Sequence, residues 1–495
     1  MTPHLWFGSR HRFVCRIAPL ILAILPMPAP AQSVPVDAAT AVDHYLGAQM
    51  SRLRIPGLAV AVVKEGRIVL ARSYGIGSVE FGLPVRDDTV FAINSITKAF
   101  TGVAAMRLVD KGKLDLSAPV GRYLKDLPEA WRGVTIRQLL SHQSGLPDVM
   151  RAPTVETDAA VAWTWVQQQP VRFAPGDHFN YCQTNYTLVQ RVLNKIEGRA
   201  LDAPLAGEQL QLAAMAHTSY GDAYDMIPNK VPTYRWSLPG PFVNGYSAAA
   251  PDTPRQMQET SERFLPFRRA SSGLNSTAID MAQWLIALEK GSLLTAPARE
   301  TMWQPLAFTD GTPGQWGMGW EILARGSHRA VGMTGGGRAA VFYYPEDHVG
   351  VVILTNLTGA FPEDMVDKIA SLYAPDLPLT GVPALRIRLE EEGYEHAAAA
   401  AAAIKAGNPG LVWSEDELND WGYRLLSNGR AQDAVPLFAF IAAEFPKSVN
   451  AHDSLAQAYH VVGERAASAQ EYRRVLELDP ANAAAKRHLA ELVGA

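Results

Sequence analysis

Ser95-Ile96-Thr97-Lys98 places a hydroxyl and a primary amine three residues apart. Val90 to Ile93 is a short apolar run, and Ala99-Phe100 through Met106-Arg107-Leu108 has helical periodicity, so a helix is expected to begin at the serine. Residues i and i+3 share a helix face, which brings Lys98 within reach of the Ser95 hydroxyl. A helix start also offers free backbone N–H groups that favour developing negative charge. In a dry cleft a lysine can have a pKa of roughly 7–8 and serve as a base. The pair is a candidate nucleophile with its activator. The same residues equally describe a helix N-cap serine followed by a solvated lysine, and only the rest of the chain separates the two readings.

Further blocks follow. Gly57 to Val69 reads as a strand, a tight turn at Glu65-Gly66 and a second strand. Leu139-Leu140-Ser141-His142-Gln143-Ser144-Gly145-Leu146-Pro147, Tyr181-Cys182-Gln183, Ser272-Gly273-Leu274-Asn275-Ser276-Thr277 and Met333-Thr334-Gly335-Gly336 come after it. In this order and spacing the chain resembles the serine hydrolases of the β-lactamase and penicillin-binding-protein fold, in the branch of class C β-lactamases and family VIII esterases. The resemblance covers roughly residues 40 to 360 and rests on several motifs together, not on one.

The resemblance implies an α/β (α+β) sandwich of the β-lactamase/transpeptidase type, with an antiparallel sheet flanked by helices. It implies that Ser95 attacks an acyl carbonyl and that water later hydrolyses the acyl-enzyme. The oxyanion hole would be the backbone amides of Ser95 and Gly336. Gly335, Gly336 and Gly337 suit a close approach of backbone to substrate. Tyr181 is the second candidate base. A free phenol has a pKa of about 10, so Tyr181 would need the Lys98 cation to hold it as phenolate. On that expectation Tyr181 is the principal proton shuttle and Lys98 positions and tunes it. Gln183, Thr334 and Gly335 are the candidate substrate-binding residues.

Two positions depart from the family pattern. The second motif usually reads Tyr-x-Asn, and here the third position is Gln183. The third motif usually opens with Lys or His, and here it opens with Met333. Methionine carries no charge and cannot hold a carboxylate. A neutral ester or amide is therefore expected to suit the site better than β-lactams or D-Ala-D-Ala peptides, with esterase-like activity favoured over β-lactamase, although esterase, β-lactamase and D-amino-acid peptidase activities all belong to the group. Arg338, five residues on, is a candidate substitute cation, unless the strand pleat turns it to solvent. A catalytic thiol at Cys182 lacks a histidine partner in sequence. A Ser-His-Asp triad with His142 is not expected, because Ser95 already has Lys98 and no G-x-S-x-G elbow surrounds it.

At 495 residues the chain should hold two or three domains. It is 48% hydrophobic and 19% charged, which fits a folded chain with a large core. A formal net charge of -4 offers no basic footprint for nucleic acid or a membrane surface. The twelve histidines lack H-x-x-x-H spacing, so no metal site and no cofactor is expected.

Arg10, Arg12 and Arg16 precede a short apolar core, Ile17 to Leu25, and Ala29-Pro30-Ala31 offers a cleavage site. Residues 1–31 therefore read as a signal peptide, with a periplasmic or secreted product and no stable membrane anchor after its removal. Only Cys182 would remain, so no intramolecular disulfide could form. Residues 37–372 are the expected hydrolase domain, 373–384 a Pro-rich linker, and 385–495 a helical domain. Sheet strands are expected near 58–64, 67–74, 316–324, 329–333, 339–344 and 349–355. The stretch 226–267 reads as a long loop or lid over the cleft. Trp421, Gly429, Phe438 and Pro446 recur as Leu455, Gly463, Tyr472 and Pro480 with a period of 34, which resembles tetratricopeptide repeats closed by Ala483 to Val493.

The leading expectation is an exported, cofactor-free serine hydrolase acting on a small-molecule or peptide ester, amide or lactam. The alternative is a weakly active or inactive scaffold that binds a peptide or protein partner through its repeats. Nucleic acid is expected in neither.

Overall fold

The apolar run from Leu58 to Val63 forms a strand, Gly57–Lys64, buried along nearly its whole length. Glu65 and Gly66 both take left-handed backbone (φ 51° and 68°), as a two-residue hairpin turn requires, and return the chain into strand Arg67–Ser78. The computed structural model that shows this describes residues 36–201, 205–237, 242–243, 246–247 and 255–493. The expected signal segment, 1–31, lies outside the described residues.

A seven-stranded antiparallel sheet runs in the order Glu321–Arg325, His328–Gly335, Ala339–Tyr344, Val349–Thr355, Gly57–Lys64, Arg67–Ser78, Leu83–Pro84. Helices cover both faces. Tyr343 lies beside Leu285 of helix Ala278–Glu289, whereas the Tyr344 hydroxyl donates to Asp367 of helix Glu363–Tyr373. Successive strand residues point to opposite faces, so these two helices flank the sheet. Every residue of Val349–Thr355 is accordingly buried.

Between the sheet halves, helix Thr97–Asp110 has eleven of its fourteen residues buried, which makes it a core helix and not a surface one. Phe100 on it stacks on Trp284 at 3.9 Å, and Trp284 stacks on Trp320 at 5.4 Å. The strand expected over 316–324 begins only at Glu321. Gly319, at φ +90°, presses its backbone on the Lys98 carbonyl, and an added Cβ would stand 2.6 Å from that oxygen. The chain is held there as a loop against the core helix. Within 226–267 the described residues form a ribbon, Thr233–Ser237 with Gln256–Thr260, and not only loop.

Helix Gly381–Glu392 begins inside the stretch expected as linker, leaving 374–380 as the connection. Pro383 lies in its first turn, where a missing N–H costs little. Helices starting at Glu415, Val449 and Ala483 are spaced by 34 residues, as are those starting at Ala431 and Arg465. Gly429 and Gly463, also 34 apart, supply the left-handed turns between helices (φ 70° and 85°). The first of these helices, Glu415–Ser427, is ion-paired to the sheet domain. Arg325, 6% exposed, forks onto Asp367 (2.8 and 3.0 Å) and reaches Glu417 at 3.0 Å, while Arg424 pairs with Asp364 at 2.9 Å.

Candidate active site

Asn94 takes left-handed backbone (φ 43°), and a single 3-10 turn, Asn94–Ile96, carries Ser95 into helix Thr97–Asp110. The helix thus starts two residues later than its periodicity implies. Its N-cap is Ile96 with no side-chain cap, so Ser95 does not cap it. Lys98 Nζ donates to Ser95 Oγ at 3.3 Å and to the Ser271 carbonyl at 3.0 Å. The side chain is 0% exposed, which removes the solvated-lysine alternative. Burial, reinforced by the Arg268 charge, holds its pKa well below the ordinary lysine range. The amine can therefore be neutral and free to accept a proton.

Tyr181 precedes helix Gln183–Glu197, and its hydroxyl interacts with the Ser95 and Gln183 side chains. Burial raises the phenol above its ordinary value despite those two bonds. Lys98 Nζ lies 4.7 Å from the centroid of the Tyr181 ring, over its face. Burial thus works against both charged forms of the expected pair, the Lys98 cation and the Tyr181 phenolate.

The turn after strand His328–Gly335 completes the constellation. Gly336 is exposed, at φ 58°, and shares with Ser95, Tyr181, Met333 and Thr334 the wall of a cavity of about 420 Å³. Ser95 and Gly336, the two residues expected to supply the oxyanion hole, therefore line one cleft. Gln183 and Gly335 stand behind that wall. A Cβ on Gly335 would lie 2.1 Å from the Ile93 carbonyl oxygen, so the strand approaches the nucleophile turn closer than any side chain allows. Gly335→Ala is expected to displace that turn and lower kcat by about 100-fold, checked by steady-state kinetics beside a thermal melt.

Arg338 does not serve the cleft, nor does it point to solvent. It is 1% exposed, ion-paired to Glu262, and donates to Asn94 Oδ1 at 2.7 Å and Thr358 Oγ1 at 2.8 Å. Asn94 Nδ2 also donates to Glu262. Glu262 lies in the expected lid stretch, so that segment grips the residue before Ser95. Arg338→Met should lower kcat roughly tenfold with little change in KM, because it loosens Asn94 without touching bound substrate. A change confined to KM would overturn this.

His142 and Cys182 pair with each other. The Cys182 N–H donates to His142 Nδ1 at 3.1 Å, which leaves the ring proton on Nε2. Burial and Lys98 keep the ring neutral, and it lies 4.4 Å from the Tyr181 ring. The Cys182 thiol is buried and pushed up to about 12, chiefly by burial. Iodoacetamide at neutral pH should leave both this thiol and any turnover unchanged, and rapid alkylation with loss of turnover would reinstate a catalytic cysteine.

Three features at the site escaped the sequence reading. They are the aromatic wall of Trp316 stacked on Phe179 (5.5 Å), the Asn94–Arg338–Glu262 grip, and cavity residues from helix Glu415–Ser427. None has a local signal, since each is made by segments far apart in the chain.

A profile of the beta-lactamase family matches residues 42–374. The chain belongs to the beta-lactamase family. Protein flp of Staphylococcus aureus (strain N315) is 25% identical over 233 residues, 46% of this chain and 47% of that protein. The chain thus spans about half the length of these curated relatives. A beta-lactamase of Yersinia enterocolitica is 25% identical over 65% of this chain and 87% of its own. Among solved structures, the octameric penicillin-binding protein homologue from Pyrococcus abyssi aligns with a TM-score of 0.59 at 22% identity, covering 71% of this chain and 80% of that one. D-amino acid amidase from Ochrobactrum anthropi SV3 aligns at 0.57 and 22%, covering 69% and 99%. Both likenesses concern the fold. Among the described residues of this beta-lactamase-family chain, no helix is long and apolar enough to cross a membrane, and no cluster of His, Cys, Asp or Glu could hold a metal ion.

Proposed function

We propose that this chain is a serine hydrolase that cleaves an ester, amide or lactam through an acyl-enzyme on Ser95, with esters favoured. The observation that carries the reading is a fully buried amine, Lys98, 3.3 Å from the Ser95 hydroxyl. Ser95 Oγ attacks the acyl carbon, its proton passes to Lys98 Nζ, and the oxyanion is held by the Ser95 and Gly336 amides. The Tyr181 phenol, bonded to Ser95, donates a proton to the leaving group as the acyl–leaving-group bond breaks, and recovers one from Lys98. Water then attacks the acyl-enzyme with the same proton path reversed.

Ester preference is supported by Met333, 2% exposed where a cation usually stands, and by Arg338, which is committed to Glu262. Among the relatives, a beta-lactamase and a D-amino acid amidase carry hydrolytic names, which supports acyl chemistry in general. Export rests on the Arg-rich start, the apolar core and Ala29-Pro30-Ala31. The test is hydrolysis of p-nitrophenyl acetate and butyrate, with stoichiometric labelling by a fluorophosphonate. Turnover with one label per chain is expected. No turnover and no label would return the chain to the scaffold reading, with a partner bound by the 34-residue helix pairs.

A further inference from the structure

The cavity that holds Ser95 does not end at the sheet domain. Its wall continues through Glu321, Glu363 and Asp364 to Asp416, Glu417 and Asp420 on helix Glu415–Ser427. Three arginines, Arg325, Arg386 and Arg424, also line it, and as a group they are matched by three carboxylates, Asp367, Glu417 and Asp364. Arg325 is paired with Asp367 and Glu417, and the other two with Asp364. That leaves Glu321, Glu363, Asp416 and Asp420, which form no ion pair among the described residues.

Glu321 and Glu363 are half-buried, and one carboxylate oxygen of Glu363 is shut off from solvent without a hydrogen-bond partner. Burial is the main reason both are raised to about 7. A carboxylate oxygen shut off from water without a partner is costly unless a cation completes it. Independently, the same cavity is walled by the stacked rings of Trp316 and Phe179 beside Tyr181, and aromatic faces attract ammonium and guanidinium groups.

We propose that the helical domain completes the substrate cleft and that Glu321, Glu363, Asp416 and Asp420, with Trp316 and Phe179, form a subsite for a cationic group on the acyl substrate. The substrate class is an ester or amide carrying an ammonium or guanidinium some distance from the scissile carbonyl. This deepens the acyl-transfer reading above and rests on it. Carboxylate-bearing substrates, β-lactams included, meet the wrong charge at this wall.

The test uses the full chain and two readouts. Binding is measured by calorimetry on the Ser95→Ala variant with 6-aminohexanamide and 8-aminooctanamide against hexanamide and octanamide. Turnover by the unaltered protein is measured on the matching p-nitrophenyl esters, with a mono-ester of adipic acid as the anionic control. We expect the aminoalkyl compounds to bind, and their esters to react, about tenfold or more better than the neutral ones, a difference of roughly 1.4 kcal/mol. The double variant Asp416→Asn/Asp420→Asn, at exposed positions, should bring that ratio towards one, as should Glu321→Gln. Equal binding of aminoalkyl and alkyl amides overturns the subsite. Preferential binding without ester turnover keeps it and sinks the acyl-transfer reading instead.

Discussion

Ser95→Ala is expected to lower ester turnover by about 10⁴-fold or more, the scale of removing a nucleophile that acts as a unit with its base. The residual rate would come from the two amides and from substrate positioning, which survive the change. Loss of the hydroxyl removes one acceptor from Lys98, whose second partner, the Ser271 carbonyl, remains at 3.0 Å. The fold should therefore persist, and a circular-dichroism melt near that of the parent would separate lost chemistry from lost structure. A variant that keeps its turnover would move the nucleophile elsewhere.

Lys98→Met should cost about 10³-fold in kcat, within the range of removing a general base. It should also raise the melting temperature. A lysine whose folded pKa is lowered must give up its proton on folding, so between the folded value and the ordinary value near ~10.4 the unfolded chain binds one more proton. Stability then rises with pH across that window and is penalised below it. Methionine removes the penalty. Activity has the same sign, because the amine must be unprotonated to accept the Ser95 proton, so kcat of the parent climbs with pH through the lowered Lys98 value. A variant that loses activity and melts lower, or a parent whose rate falls as pH rises through that range, would overturn the assignment of Lys98 as base.

Much of the sheet was legible because its strands are apolar runs between turn residues. Leu58 to Lys64 and Val349 to Thr355 became strands almost residue for residue. Ser95 and Lys98 could be paired because a helix repeats locally. The direction in which each group's pKa moves could not be read, since it depends on burial, and Tyr181 and Lys98 are both dried by residues distant in sequence. Arg338 shows the same limit. Its spacing allowed a role towards substrate, whereas its partners, Asn94 and Glu262, lie 244 and 76 residues away. The strand expected at 316–324 failed for a local reason, the left-handed Gly319 that presses on the core helix. The helical domain's share of the cleft had no signature at all, because Asp416 and Asp420 look like an ordinary solvated helix start.

The seam of the sheet carries a consequence for how the chain is made. Leu58 pairs with Thr355, so the first strands find their central neighbour only after about 300 further residues have been synthesised. At about 5–20 residues per second, that leaves the apolar hairpin 57–78 without its partner strand for roughly 15–60 s. Such contacts make for slow folding. A holdase that covers this hairpin during synthesis should raise the yield of native protein more than any stabilising change elsewhere.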